Sequence, residues 1–197
     1  MARPRKDAPG LSAVDRMVDA FWEALEEKPY AEVTVGEIAR RAEVNRNAVY
    51  YHFDNLDDLA AFAVDGRLVT ELPLLVLESL HRGENPLKTL FLSGAVAGKF
   101  DKAMLIMGPH GSPYLGLLLR KAFTRAWGEA VGVDLDCAPQ EMKLALEFLL
   151  GGLSAVITLQ AVHPDERVMD AFVQTDFAQG VFQSGIRALE GAAGHAL

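Results

Sequence analysis

A run of polar and aromatic side chains over residues 46–52 is the part of the sequence best suited to binding a nucleic acid. Arginine and asparagine can bond base edges in the major groove through two hydrogen bonds at once. Tyrosine and histidine can bind phosphate oxygens. Val49 and Phe53 lie four positions apart and predict one apolar side of a helix, which leaves the other positions facing outward. The outward-facing residues are Arg46, Asn47, Tyr50 and Tyr51, with His52 near the end.

Two short helices joined by a tight turn are predicted around this run. A capping box at Thr34 starts the first helix, over 34–42, and Asn45 is a good N-cap for the second, over 46–53. A longer amphipathic helix is predicted near 12–27, ahead of both. A helix, a tight turn and a second helix behind a longer amphipathic helix are the layout of a DNA-binding helix-turn-helix.

Residues 34–53 resemble the DNA-binding motif of the TetR family of transcriptional regulators. The stretch reads T-V-G-E-I-A-R-R-A-E-V-N-R-N-A-V-Y-Y-H-F and is followed by D-N-L-D-D-L. The Y-Y-H-F ending, its distance from the T-x-x-E-I-A start and the capped helix after it carry the resemblance, which extends over roughly residues 12–66. The resemblance implies a three-helix helix-turn-helix head over 1–66 and a helical bundle for ligand binding and dimerisation over 67–197.

The resemblance also implies roles for individual residues of the head. In such proteins the N-cap and first residues of the second helix face bases. The aromatic pair and histidine hold the phosphate backbone, and the threonine before the preceding helix meets a phosphate at its free N–H groups. In this sequence the implied base-facing residues are Asn45, Arg46, Asn47 and Ala48, and the implied phosphate-facing residues are Thr34, Tyr50, Tyr51 and His52.

Three residues of the head depart from the family's pattern. Glu43 stands where the turn usually has glycine, so either Glu43 takes an unusual backbone angle or the turn differs. Leu56 replaces a lysine that commonly touches phosphate, and Gly36 occupies a position from which some relatives reach a base. We therefore expect fewer backbone contacts, and a shallower salt dependence of binding, than is usual for the family.

The rest of the chain also has helical periodicity, and no segment alternates convincingly like a strand. The predicted fold class is all-α. Proline is expected to interrupt one helix at Pro73 and to open three others, at Pro86, Pro113 and Pro164. Beyond the head, the predicted helices cover 55–81 with an interruption, 86–107 in one or two pieces, 113–131, 139–162 and 164–190.

The helix over 139–162 is apolar on nearly all sides. Residues 144–162 hold a single charge, Glu147, and are long enough to raise the question of a membrane span. Polar residues within the stretch and the lack of flanking Lys/Arg clusters oppose that interpretation. We predict instead a homodimer interface in which this helix and the helix over 164–190 meet their copies about a two-fold axis, with no membrane contact.

The resemblance implies a small-molecule effector that enters the body between the fourth and eighth helices. Aromatic and methionine side chains of the body are the candidate lining, although each also suits an ordinary core, and one histidine lies in a Gly/Pro loop. The candidates are Phe91, Phe100, Met104, Met107, His110, Tyr114, Phe123, Trp127 and Phe148. The sequence does not identify the effector.

The net charge of −8 opposes a general attraction to DNA. Residues 1–65 carry eight Lys/Arg and thirteen Asp/Glu (8 − 13 = −5), whereas 66–197 carry eleven and fourteen (11 − 14 = −3). Within 34–53, three arginines face two glutamates (3 − 2 = +1). DNA binding must therefore depend on a local, shape-matched surface. A single cysteine and the absence of a signal-peptide pattern predict a cytoplasmic protein.

No group of residues typical of an enzyme is present. The chain has one Glu-x-x-His pair, Glu78 with His81, where helical di-iron sites need two. Phosphate-binding loops, nucleophile elbows and zinc motifs are also missing. We predict no catalytic activity, no metal and no cofactor.

Two functions stay open on sequence grounds. The first is a ligand-responsive transcriptional regulator, a repressor by the family's commoner mode, that binds a near-palindromic operator as a dimer. The alternative is a co-regulator that uses the same fold to bind another protein and does not bind DNA itself. The acidic head, Glu43 and Leu56 favour the alternative, whereas the side chains over 46–52 oppose it.

Overall fold

The computed structural model describes residues 12–65, 68–69, 71–92, 96–135 and 137–193, and the regular structure of this part of the chain is helical, which confirms the all-α class. The elements are α1 (Ala13–Glu27), a 3₁₀ turn (Tyr30–Glu32), α2 (Val35–Arg41), α3 (Arg46–His52), α4 (Leu56–Asp65), α5 (Leu72–His81), α6 (Pro86–Leu92), α7 (Ala97–Met107), α8 (Pro113–Val131), α9 (Gln140–Val162), α10 (Val168–Val173) and α11 (Asp176–Ala193).

The helices of the head begin where their caps predict. Ser12 and Asp15 form a complete capping box at α1. At α2 only half of the box forms: Thr34 Oγ1 accepts from the backbone N–H of Glu37 at 3.3 Å, while the Glu37 carboxylate pairs with cations elsewhere. Asn55 Oδ1 accepts from the Asp58 N–H at 2.9 Å, which fixes the start of α4.

Proline has the predicted effect at two of the three helix starts. Pro86 and Pro113 lie in the first turns of α6 and α8. Pro73 likewise lies in the first turn of α5, so it opens the second piece of the interrupted 55–81 segment after α4 has ended at Asp65.

The prediction of one helix over 164–190 is wrong. Pro164 lies in a turn, and the chain becomes helical again only at Val168. The Gln160 side chain stabilises this turn: its Nε2 donates to the Glu166 carbonyl at 2.8 Å, and its Oε1 accepts from Met169 N–H at 3.1 Å. A second break follows α10, where Thr175 Oγ1 accepts from the Ala178 N–H at 3.1 Å and caps α11.

Two hydrophobic cores hold the helices together. The first is built from α1–α4 and also takes buried side chains from α7 and α8, among them Ile106, Leu115 and Leu119. The second lies farther along the body and takes most of its buried residues from α5, α6 and α9–α11. The predicted domain boundary at residue 66 falls between α4 and α5 and stays a prediction.

The helix α9 is long and apolar enough, by length and composition alone, to cross a membrane. Large apolar side chains on it are exposed in the single chain, including Leu144, Phe148, Leu159 and Val162.

Candidate nucleic-acid interface and internal cavity

A tight turn with one left-handed residue sets the angle between α2 and α3. Glu43 has a φ of 53°, in the left-handed region that residues other than glycine rarely adopt. The N–H of Val44 then donates to the Ala39 carbonyl at 3.0 Å, and Asn45 Oδ1 accepts from the Asn47 N–H at 2.9 Å to begin α3. Glu43 thus has the left-handed backbone conformation that glycine has in the family's turn, although it is not glycine.

The helix α3 buries one face and exposes the other. Val49 and Phe53 are 1% and 4% exposed in the first core, and Ala48 packs partly against the same core. Tyr50 is 46% exposed and Tyr51 is 84% exposed. The remaining predicted DNA-facing residues are exposed as well: Thr34, Asn45, Arg46, Asn47 and His52. The predicted residues of α3 therefore lie on its outward side, with Ala48 at the inner edge, and Thr34 is exposed at the start of α2.

The capping bonds decide which polar groups this surface can offer to DNA. Asn45 Oδ1 is already an acceptor for its own helix, so the amide NH₂ is the group left for a base. Thr34 Oγ1 accepts from the Glu37 N–H, which leaves its hydroxyl hydrogen for a phosphate. The rings of Tyr51 and His52 meet edge to face with centroids 5.0 Å apart, an arrangement that holds both at the end of α3.

Arg41 does not belong to the exposed cations of this surface. Its guanidinium is 13% exposed and bonds Glu27, with Nη1 at 2.9 Å from Oε1, and Glu37 at 2.9 Å. Lys28 pairs with the same Glu37 carboxylate. Hydrogen bonds lower both carboxyl pKa values, chiefly from Arg41 at Glu27 and from Lys28 at Glu37. These ion pairs fix α2 against the end of α1, so Arg40 and Arg46 are the exposed arginines of residues 34–53.

Tyr30 connects the head to the body. Its hydroxyl donates to the Asp57 carboxylate at the start of α4, and burial together with this bond raises the Tyr30 pKa, so the phenol stays protonated. Its ring stacks on Tyr114 of α8 at 6.4 Å, and its N–H donates to the His110 carbonyl at 2.8 Å. His110 Nδ1 lies 2.7 Å from the Leu25 carbonyl. Tyr114 and His110, both predicted to line the ligand pocket, lie at this junction instead.

An apolar cavity lies inside the body, between α5, α7, α8 and α9. The cavity volume is about 70 Å³, and the walls are almost entirely hydrocarbon. Four of the nine predicted pocket residues line it: Phe91, Phe100, Phe123 and Trp127.

The other predicted pocket residues lie elsewhere. Met104 and His110 border a separate surface groove, Met107 packs between the two cores, and Phe148 is 67% exposed on α9. Two cations, Lys99 and Arg120, also line the cavity and were not predicted from the sequence. The available signal was a charge within an otherwise apolar helical segment, as in the run Leu117 to Arg120.

Comparison with known proteins identifies the head. Residues 18–61 match the family model described as "Bacterial regulatory proteins, tetR family". These residues span most of α1 to most of α4 and include all eight predicted DNA-facing positions. The head is therefore a TetR-family DNA-binding domain. The chain is a DNA-binding transcriptional regulator with a helix-turn-helix head.

The TetR-family chain is also similar to one solved structure. That protein is a TetR transcriptional regulator from Rhodococcus sp. RHA1, with 20% sequence identity and a TM-score of 0.47 over 90% of this chain and 95% of that one. No curated protein sequence matches this chain. Among the residues that the structure describes, no three His, Cys, Asp or Glu side chains group in a way that would hold a metal ion.

Proposed function

We propose that this TetR-family regulator is a cytoplasmic, ligand-responsive repressor that binds a near-palindromic operator as a homodimer. The observation that carries the proposal is the exposed face of α3, where Arg46, Asn47, Tyr50 and Tyr51 stand free of the core beside buried Val49. Two such helices entering major grooves one turn of duplex apart, about 34 Å, need two copies related by a two-fold axis. Repression itself is proposed on the family resemblance alone.

An exposed apolar stripe on α9 supports the homodimer. Leu144, Phe148, Ala155, Leu159 and Val162 are exposed and recur three, four or seven residues apart, so they share one face of the helix. A monomer would leave this face in water, at a free-energy cost that grows with the apolar area. Burial against a second copy removes that cost.

Small residues on the same surface allow a close approach of the second copy. On α9, a methyl group added at Gly151 or Gly152 would meet no atom of the chain. The neighbouring helix α11 presents Phe177, which is 70% exposed, and Gly180, where an added methyl group is also free. Since α9 and α11 pack side by side, the two helices and their copies would form a four-helix interface.

Hydrogen bonds from α8 link the wall of the cavity to α4 of the head. Arg125 on α8 forms two hydrogen bonds with the Asp65 carboxylate at the end of α4, one of them at 2.6 Å. Near the other end of α8, Tyr114 Oη donates to the Asp57 carbonyl of α4 at 3.2 Å. A ligand that shifts α8 would therefore move α4 and, with it, the spacing between the two recognition helices of the dimer.

Selection of bound duplexes from a random-sequence pool at moderate salt tests this proposal. We expect a near-palindromic motif whose binding is weakened in Arg46→Ala and unchanged in Arg82→Ala, a control at an exposed arginine after α5. Recovery of no motif from a folded dimer would contradict operator binding and favour the protein-binding co-regulator. A motif without internal symmetry would contradict the dimeric mode of reading.

A further inference from the structure

Two positive side chains stand in the wall of an otherwise apolar cavity. Lys99 enters from α7 and Arg120 from α8, and among the described residues that line the cavity there is no carboxylate. The other polar lining group is the hydroxyl of Ser154 on α9. Both side chains also reach water, Lys99 being 26% and Arg120 44% exposed, so their charged ends lie at the edge of the cavity, where they can bind an anionic group of a molecule whose apolar part lies inside.

The anions that now compensate these cations lie outside the cavity. Lys99 Nζ binds Glu71 Oε2 at 2.7 Å, and Arg120 binds the Glu147 carboxylate. The two glutamate side chains are 75% and 50% exposed. Exposed ion pairs of this kind contribute little, because water and salt screen them and both side chains lose freedom. A carboxylate held inside the cavity would be less screened than either glutamate.

We infer that the cavity takes an apolar molecule with one anionic group, a carboxylate or its equivalent, which binds Lys99 and Arg120 in place of Glu71 and Glu147. The hydrocarbon wall, with aromatic rings such as Phe100 and Phe123, accepts the apolar part. This inference rests on the proposed ligand response and adds the chemical class of the effector. The protein's net charge of −8 acts against an anion only at long range, where salt screens it.

The exchange of partners also gives the ligand a mechanical effect. The Lys99–Glu71 pair joins α7 to the residue before α5, and the Arg120–Glu147 pair joins α8 to α9. A ligand anion that takes both cations releases both connections at once. The helix α8 is then held by the ligand at Arg120 and by α4 at Arg125, five residues farther along the helix.

Calorimetric titration of the full-length protein with sodium octanoate and with 1-octanol tests the inference. The two molecules share an apolar chain and differ in charge, and we expect octanoate to bind at least tenfold more tightly. Lys99→Met and Arg120→Met keep an apolar stem and should each weaken octanoate binding about tenfold, without changing octanol binding. Lys88→Met and Lys121→Met are matched controls at exposed lysines outside the cavity and should change neither.

A second pair of variants acts in the opposite direction. Glu71→Gln and Glu147→Gln remove the competing carboxylates and should tighten octanoate binding several-fold, a gain that damage to folding cannot imitate. The inference is overturned if octanoate and octanol bind equally, if neither binds, or if the methionine variants bind octanoate as the natural protein does. Octanoate that binds as expected but releases no operator DNA would support the ligand class and contradict the proposed ligand response.

Discussion

The guanidinium of Arg46 lies over the ring of Tyr50, with its central carbon 5.7 Å from the ring centre and Nη2 3.3 Å from Tyr50 Oη. Both side chains are one turn apart on the exposed face of α3. A cation over an exposed aromatic ring is stabilised by about 0.5–1 kcal/mol, which orders the arginine before DNA arrives. The Arg46 side chain then loses less conformational freedom when the N–H donors of its guanidinium bind a base.

Arg46→Ala is expected to weaken binding to the selected operator by about 1–3 kcal/mol, because a two-bond contact with a base is lost. Binding to random duplex should fall much less. Fluorescence anisotropy at one fixed salt concentration measures both affinities. Arg46→Lys keeps the charge without the fork and should lose most of the same specificity. An equal loss on both duplexes would show that Arg46 contacts phosphate.

Tyr51→Phe is expected to weaken binding to every duplex alike, by about 0.5–1.5 kcal/mol, because the hydroxyl bonds the backbone and not a base. The side chain is 84% exposed, so the melting temperature should not change. Parallel titrations of the operator and a scrambled duplex make the comparison. A loss confined to the operator would assign Tyr51 to base recognition.

Glu43→Gly should stabilise the head, since Glu43 has a φ of 53° and glycine has no steric penalty there. The left-handed conformation costs other residues about 1–2 kcal/mol, and the greater freedom of unfolded glycine offsets part of the gain. Urea unfolding should show the increase in Glu43→Gly and not in Glu43→Ala, which keeps the Cβ. Equal stability of the two variants would mean that the turn carries no strain.

Acid should destabilise the head through its cluster of ion pairs. The pKa of Glu37 is lowered by hydrogen bonds from Lys28 and then Arg41, and that of Glu27 chiefly by Arg41. A carboxyl with a lowered folded-state pKa stabilises fully above its unfolded value of 4.5 and loses that contribution as the pH falls below it. Glu37→Gln should flatten this part of the stability profile, whereas Glu23→Gln on the exposed side of α1 should not.

Phe148→Glu should convert the proposed homodimer to monomer, because it places a charge within the exposed apolar stripe of α9. Sedimentation velocity across a concentration series measures the change, and operator affinity should fall with it. Leu74→Glu is the matched control, at a 57% exposed leucine on α5. A dimer that survives in Phe148→Glu would place the interface on another surface.

The fold of the head could be predicted from the sequence because its helix caps and its apolar spacing indicate the same helices. The caps at Ser12, Asn45 and Asn55 mark helix starts that the structure confirms. The four-residue spacing of Val49 and Phe53 alone predicts which face of α3 is exposed. The Arg41–Glu27 salt bridge was beyond prediction, because Glu27 lies fourteen residues away and only the packing of α1 on α2 brings it near.

The body was harder to predict for a physical reason. A helix that is apolar all round, as α9 is, does not reveal which side faces its own core. Phe148 therefore looked like a pocket residue and lies on the outer surface. The break before α11 did have a signal that was overlooked, since Thr175 with Asp176 is a good helix start.

The first core draws side chains from both sides of residue 66: Leu59 and Val64 of α4 share it with Ile106 of α7 and Leu115 of α8. A regulator of this architecture is not a pair of interchangeable modules. Grafting its head onto another family member would set α4 against foreign surfaces of α7 and α8, and mismatched volumes there destabilise a close-packed interior. A chimaera that joins this head to the body of another regulator must therefore also carry the faces of α7 and α8 that pack against the head.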